Sequence, residues 1–260
     1  MTWTEAILLA ASAVAAGIIN AVAGGGTLIT FPALLLARTP SVVANATSTL
    51  ALVLGTSGGV LGYRRQLGSV RPWLRRFVPV SLLGGLIGAV LLTATGEKVF
   101  AHLVPFLLLF ATVVFVAQGA FRRFAGFEVA PGAAVHPHGR AVWIAVVFQF
   151  LVAVYGGYFG AGIGILMLSS LGFLGLTDIH EMNALKTALG SLINLVAAIY
   201  FIFAGLIAWP KAGVMTVGAV AGYFLGSHYA QRIPQRRVRQ IITAIGFLIS
   251  AALFYEQFLG

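Results

Sequence analysis

Hydrophobic residues along the chain fall into ten blocks, at about 5–23, 27–37, 43–62, 73–94, 99–121, 141–158, 163–176, 180–204, 211–230 and 236–258. Several approach or exceed the ~20 apolar residues that carry a helix across a bilayer. None shows the strict alternation of a membrane-barrel strand. The pattern therefore predicts an all-α integral membrane protein. One stretch, about 122–140, reads as an extramembrane linker, with Arg122, Arg123, Glu128, Pro131, His136, Pro137, His138 and Arg140. It divides the chain into a first membrane repeat, 1–121, and a second, 141–260, with the linker expected in the cytoplasm.

Two of the apolar runs are broken by glycine. The first contains Gly24-Gly25-Gly26 followed by Thr27, and the second contains Gly160, Gly162 and Gly164. Glycine frees the backbone and offers no side chain to pack, so a helix stops there, and Thr27 can cap its restart. Broken backbone at membrane depth is tolerated only where it is buried in protein or lines a watery cavity. The restarting helix then presents open N–H groups and the positive end of its dipole, which suits an anion. Close helix packing is the rival reading, because Gly156-x3-Gly160-x3-Gly164 is also a ladder of small residues.

The halves match at a single offset of 138. It relates Gly24 to Gly162, Gly26 to Gly164, Asn45 to Asn183, Thr49 to Thr187, Gly84 to Gly222 and Gly88 to Gly226. Such a register marks an internal duplication. Basic residues then bear on topology. With four plain crossings per half, nine would lie on one side and six on the other. With each glycine-broken stretch entering and returning, twelve share one side, only Arg38, Lys98 and Lys211 share the other, and Lys186 lies within a span. The second division obeys the positive-inside rule better. The expected fold is thus two inverted repeats, each a re-entrant helix pair followed by three transmembrane helices.

Composition sharpens the class. Sixty per cent of residues are hydrophobic and eight per cent are charged, where a soluble domain carries about a quarter. The net charge of +10 sits in short clusters between spans, so membrane lipids are the expected contact and nucleic acid is not. With no cysteine, disulfide and thiolate chemistry are excluded. The first run, Ala6 to Ala23, is expected to belong to the fold and not to a cleaved signal.

Polar residues within the spans are the candidate site. Asn45, Ser48 and Thr49 share one helical face, as do Asn183, Lys186 and Thr187. Lys186 stands where the first copy has Ser48, so the second half would supply the one formal cation. Substrate contact competes with snorkelling or pairing to Glu181 or Asp178 for Lys186, and with helix-entry capping for the asparagines. Asp178, His180 and Glu181 form a candidate proton relay, or acids placed at a helix start. Gly58-x3-Gly62, Gly84-x3-Gly88 and Gly218-x3-Gly222-x3-Gly226 read as close-packing ladders. Gln118, Gln149 and Asn194 are polar groups within spans without an assigned role. His136-x-His138 is too small a set for a metal site on its own. No phosphate-binding loop, catalytic triad or zinc motif is present, so no cofactor, metal or enzymatic activity is expected.

These motifs resemble the sulfite exporter TauE/SafE family of membrane permeases over nearly the whole chain. The resemblance rests on Gly24-Gly25-Gly26 with Thr27 to Pro32, Ala44-Asn45 to Thr49, Tyr155 to Gly162, Met182-Asn183 to Lys186, and Gly205-x3-Trp209. The second copy departs from the family pattern, with Ile163 in place of Gly25 and Ser170 in place of Pro32. The resemblance implies a multi-pass secondary transporter of the cytoplasmic membrane that exports sulfite or an organosulfonate, coupled to protons or the membrane potential. Alternating access would run around a midplane site. Gly24, Gly25, Gly26, Thr27, Gly162 and Gly164 would offer backbone donors, Asn45, Ser48, Thr49, Asn183 and Thr187 side-chain bonds, and Lys186 the counter-charge. A passive anion channel and an uptake permease for an organic anion are the alternatives. The pattern is also compatible with a homo-oligomer.

Overall fold

The computed structural model describes residues 1–22, 25–62, 64–124, 139–173, 179–229 and 235–258. They form ten helices: α1 (Trp3–Val22), α2 (Thr27–Leu36), α3 (Ser41–Gly62), α4 (Arg64–Ser69), α5 (Arg71–Phe124), α6 (Gly139–Tyr158), α7 (Ile163–Phe173), α8 (Ile179–Phe203), α9 (Trp209–Tyr229) and α10 (Gln235–Phe258). No strand occurs among the described residues. Most of the predicted linker lies outside them.

The 138-residue offset reappears in the elements. Added to Ser41, Arg71 and Glu97 it gives 179, 209 and 235, which are the first residues of α8, α9 and α10. Glu97 counts as a start because α5 is two arms, with Gly96 between them at φ 73° and ψ 164°. That left-handed φ is open to glycine at little cost. Each half therefore consists of a long helix, a short helix and three more long ones, with α4 as an addition to the first half.

Large apolar side chains point outward: Leu83, Leu86 and Val90 on α5, Trp143 and Leu151 on α6, Val217 and Phe224 on α9. Such a surface suits lipid and not water. Four helical segments, Trp3–Ala21, Arg71–Ala117, Glu181–Phe203 and Gln240–Phe258, are long and apolar enough to cross a membrane. Inside, lipid gives helices no hydrophobic reason to associate, so close backbone approach takes over. A methyl on Gly218 would stand 3.0 Å from Ala13 Cβ, and one on Gly226 2.7 Å from Ile18 Cα. A methyl on Gly84 would stand 2.7 Å from Ala153 Cβ, and one on Gly88 2.7 Å from the Tyr158 nitrogen. The ladders read from sequence at 84–88 and 218–226 are thus helix contacts, while side chains of the 58–62 ladder lie outside the described set.

The same contacts give chain direction. Numbers rise together along α1 and α9, and along α6 and the first arm of α5, so each pair runs parallel. Along α10 and the second arm of α5 they oppose: Phe106 packs on Phe254 at 4.8 Å, whereas Gly246 meets Thr112. These two helices are related by the offset, and they run antiparallel.

Polar contacts gather at one end. Lys211 Nζ donates to Ala37 O at 2.7 Å and to Thr39 Oγ1 at 2.9 Å, closing the C-terminus of α2. The Glu97 carboxylate accepts the Val42 N–H at 2.9 Å and the Ser41 N–H, so the bend of α5 caps α3. Arg38, Lys98 and Lys211, grouped together by the charge tally, lie in or beside these contacts.

Candidate functional site

The site begins where α1 and α6 stop. At the end of α6, Tyr155 O accepts the Phe159 N–H at 2.9 Å and the Gly160 N–H at 3.2 Å. Gly160 and Gly162 then adopt φ of 80° and 79°, which ends the helix in a left-handed turn. The Tyr155 hydroxyl donates to Ala161 O at 2.8 Å, and Asn45 Nδ2 donates to Tyr158 O at 3.0 Å, so this break is tied in place. In α7 the Ile165 N–H turns back to Gly162 O at 3.0 Å. The Ile163 and Gly164 amides are left without a backbone acceptor among the described residues.

The first break differs. Gly25 takes φ 94°, and Gly26, in helical geometry, is the N-cap of α2, with no side-chain capping bond. Thr27 is therefore the first helical residue and not the cap that its position suggested. The Gly26 N–H is already taken: Asn20 Oδ1 accepts it at 2.8 Å. Leu28 and Ile29 N–H turn back to Gly25 O and Gly26 O, both at 3.0 Å.

Between the breaks lies a cavity of about 140 Å³. A single water needs only ~10–15 Å³ on the same measure, so a small polyatomic ion fits. Asn20, Gly25 and Thr27 line it from the first break, and Gly160, Gly162, Ile163 and Gly164 from the second. One face of α8 completes it, with Lys186, Gly190 and Asn194 four residues apart and Thr187 and Ser191 beside them. The aliphatic stem of Lys186 lies along the α7 backbone: a methyl on Gly164 would stand 3.2 Å from its Cδ. Among the described residues the ammonium has no hydrogen-bond or ion-pair partner. No carboxylate is among the described lining residues. A cation, two open amides at a helix N-terminus and the hydroxyl side chains of Thr27, Thr187, Ser191 and Tyr223 line one cavity, and in a low-dielectric setting that set attracts an anion.

The profile of the family described as sulfite exporter TauE/SafE matches residues 9–253. The chain belongs to this family. Among its relatives is a probable membrane transporter protein, ORF9, of a Sinorhizobium species, 28% identical over 250 residues, covering 93% of this chain and 89% of that protein. A probable membrane transporter protein of Haemophilus influenzae is also 28% identical, covering 93% and 91%. The probable membrane transporter protein YfcA of Escherichia coli K12 is 26% identical, covering 94% and 88%. No solved structure matches the chain. Family and relatives make this TauE/SafE chain a membrane transporter.

Within this TauE/SafE chain, Gly25, Thr27, Gly162, Gly164, Lys186 and Thr187 come together at the cavity, as the sequence motifs grouped them. Gly26 is adjacent, with its amide engaged. Asn45, Ser48 and Thr49 stand behind the lining. Ser48 Oγ bonds Thr30 Oγ1 at 2.7 Å, and Thr49 Oγ1 donates to Asn45 O at 2.9 Å. Asn45 Oδ1 is buried with no partner. Asn183 lies nearer the start of α8, outside the lining. Gly24 and Asp178 lie outside the described residues, as does the side chain of His180, and Glu181 sits in the first turn of α8.

Sequence reasoning passed over Asn20, Gly190, Ser191 and Asn194 as binding residues. Those on α8 carried a signal, since 186, 190 and 194 repeat every four residues on one face. Asn20 carried none, because its role depends on a turn that brings Gly26 back to it.

Proposed function

We propose that this TauE/SafE chain is a secondary transporter that exports a small sulfur-containing anion, sulfite or an organosulfonate, across the cytoplasmic membrane. The two halves are inverted repeats and alternate access around the cavity between their helix breaks. Lys186 supplies the counter-charge, the N-terminus of α7 at Gly162–Gly164 supplies amides, and Thr187 a hydroxyl. Gly24, Gly25 and Thr27 bound the anion from the first break. Asn45 holds the second break in register from behind, while Ser48 ties α3 to α2 and Thr49 bonds within α3. Asn183 and the group Asp178, His180 and Glu181 govern entry or proton coupling at the start of α8.

The observation that carries this reading is the Lys186 ammonium, unpartnered among the described residues, against the open end of α7. Burying a cation without a partner is costly, so a position of this kind is kept for a ligand that neutralises it. Inversion is supported by the antiparallel course of α10 and the second arm of α5. It is supported also by the grouping of Lys211 and Glu97 with the α2–α3 turn, beside Arg38 and Lys98.

The test is counterflow of labelled sulfite in vesicles containing the purified protein, with sulfonates, sulfate and carboxylates as competitors. Saturable exchange by wild type is expected. Current without saturation or exchange would replace the carrier by a channel.

A further inference from the structure

Asn20 lies in the last turn of α1 and lines the cavity. Its Oδ1 accepts the Gly26 N–H at 2.8 Å. That bond fixes which way the amide faces, because only the oxygen can accept. Nδ2 is left with two N–H donors and no acceptor among the described residues, yet it is not sealed in the protein interior. A half-buried amide nitrogen beside a cavity, held by its own oxygen, is a donor set for a ligand. The first break spends its Gly26 amide on Asn20, and Asn20 in turn presents a donor to the cavity.

We infer that Asn20 is a specificity-determining residue: its Nδ2 donates to an oxygen of the bound anion while Lys186 and the α7 amides hold the others. This rests on the anion-transport reading and names a residue that selects its substrate class. An anion engaged at separate points needs several oxygens spread around one centre, as in sulfite or a sulfonate. A monatomic halide has a single centre and cannot use Asn20 and Lys186 equally well.

The experiment uses the full chain in vesicles, with Asn20→Asp, Asn20→Ala and Lys186→Gln beside wild type. Sulfite affinity, competition by iodide and thermal unfolding are measured. Asn20→Asp keeps an oxygen for the Gly26 N–H and removes the donor, so its melting temperature is expected to stay near wild type. Its sulfite affinity is expected to fall about 100-fold, because a carboxylate would then face the anion. Asn20→Ala is expected to lose about tenfold for sulfite, the size of one donor to a charged group, with iodide competition unchanged. Wild-type affinity in Asn20→Asp, or equal loss of sulfite and iodide in Asn20→Ala, reduces Asn20 to a structural cap and overturns the inference. If Asn20→Asp unfolds, the sulfite-to-iodide ratio of Asn20→Ala decides alone. Wild-type affinity in Lys186→Gln, or no sulfite exchange by wild type, overturns the anion site itself, an outcome separate from failure at Asn20.

Discussion

The two helix breaks stand at corresponding places in the two halves of the chain and differ in chemistry. In the first, Gly26 N–H is capped by Asn20, and the polar face of α3 is spent on protein contacts, Ser48 with Thr30 of α2 and Thr49 with Asn45 one turn back. In the second, two glycines are left-handed, and among the described residues the first amides of α7 are open and the lysine that α8 lays over them is unpartnered. At the 138 offset the left-handed Gly25 corresponds to Ile163, the first helical residue of α7, so the two breaks differ in backbone as well as in side chains. One break has become mostly scaffold, and the other carries most of the groups that attract charge.

The largest break in this comparison should come from Lys186. Lys186→Gln is expected to lower sulfite exchange by about 100-fold, the scale for removing one partner of a desolvated charge pair. The same protein should unfold at an equal or higher temperature, because an uncompensated cation leaves the interior. Exchange rates and a melting curve on one preparation check both. Unchanged exchange would move the anion elsewhere.

Next come the glycines that force each turn. Gly25→Ala and Gly162→Ala both place a side chain at left-handed φ, at about 1–2 kcal/mol each. Gly25→Ala carries a second cost, since the new methyl would stand 3.1 Å from the Phe115 ring, whereas at Gly162 the nearest atom is 3.6 Å away. Gly25→Ala should therefore unfold at the lower temperature. Gly162→Ala should lose more exchange for the stability it gives up, because it immediately precedes the open amides of α7. Equal ratios of lost exchange to lost stability would deny the breaks their difference.

How much of this was legible in the chain depends on what makes a residue conspicuous. Glycine, asparagine and lysine in lipid-facing runs are expensive, so the 138 offset stood out and anticipated the starts of α8, α9 and α10. The ladders at 84–88 and 218–226 were legible for the same reason. Asn45 was harder: its position on the face shared with Ser48 and Thr49 suggested the cavity, but its amide reaches the Tyr158 carbonyl, 113 residues away. Only tertiary packing decides such a partner. Gly26 illustrates the same limit at short range, because its acceptor six residues back follows from a turn that no helical period describes.

Gly164→Ala tests the lysine's seat without touching its charge. The residue is not left-handed, so alanine is compatible with the α7 backbone, and it favours helix over glycine by about 1 kcal/mol. The new methyl would stand 3.2 Å from Lys186 Cδ, so the flexible stem must shift by a few tenths of an ångström. Sulfite affinity is expected to drop about tenfold through this misplacement, in line with the cost of losing one charge-assisted bond, while thermal stability holds or rises. A titration of exchange rate against sulfite, set beside a melting curve, reads both; full affinity in this variant would mean that the ammonium is not positioned by its contact with α7.

The smallest effect belongs to Ser48, the counterpart of Lys186 in the first half. Thr30 Oγ1 already donates to Gly26 O at 3.2 Å, so its one hydrogen is committed and Ser48 must be the donor in the 2.7 Å bond between them. Ser48→Ala removes that donor and leaves Thr30 still bonded through its own hydrogen. The cost should sit near the ordinary worth of a buried hydrogen bond, about 1 kcal/mol, visible as a modest fall in unfolding temperature. Sulfite exchange should remain within about twofold of wild type, because a loss below RT ln 2 lies under any direct contact with the anion. A tenfold loss with stability intact would place Ser48 at the substrate, and the two halves would then share the binding far more evenly than their geometry suggests.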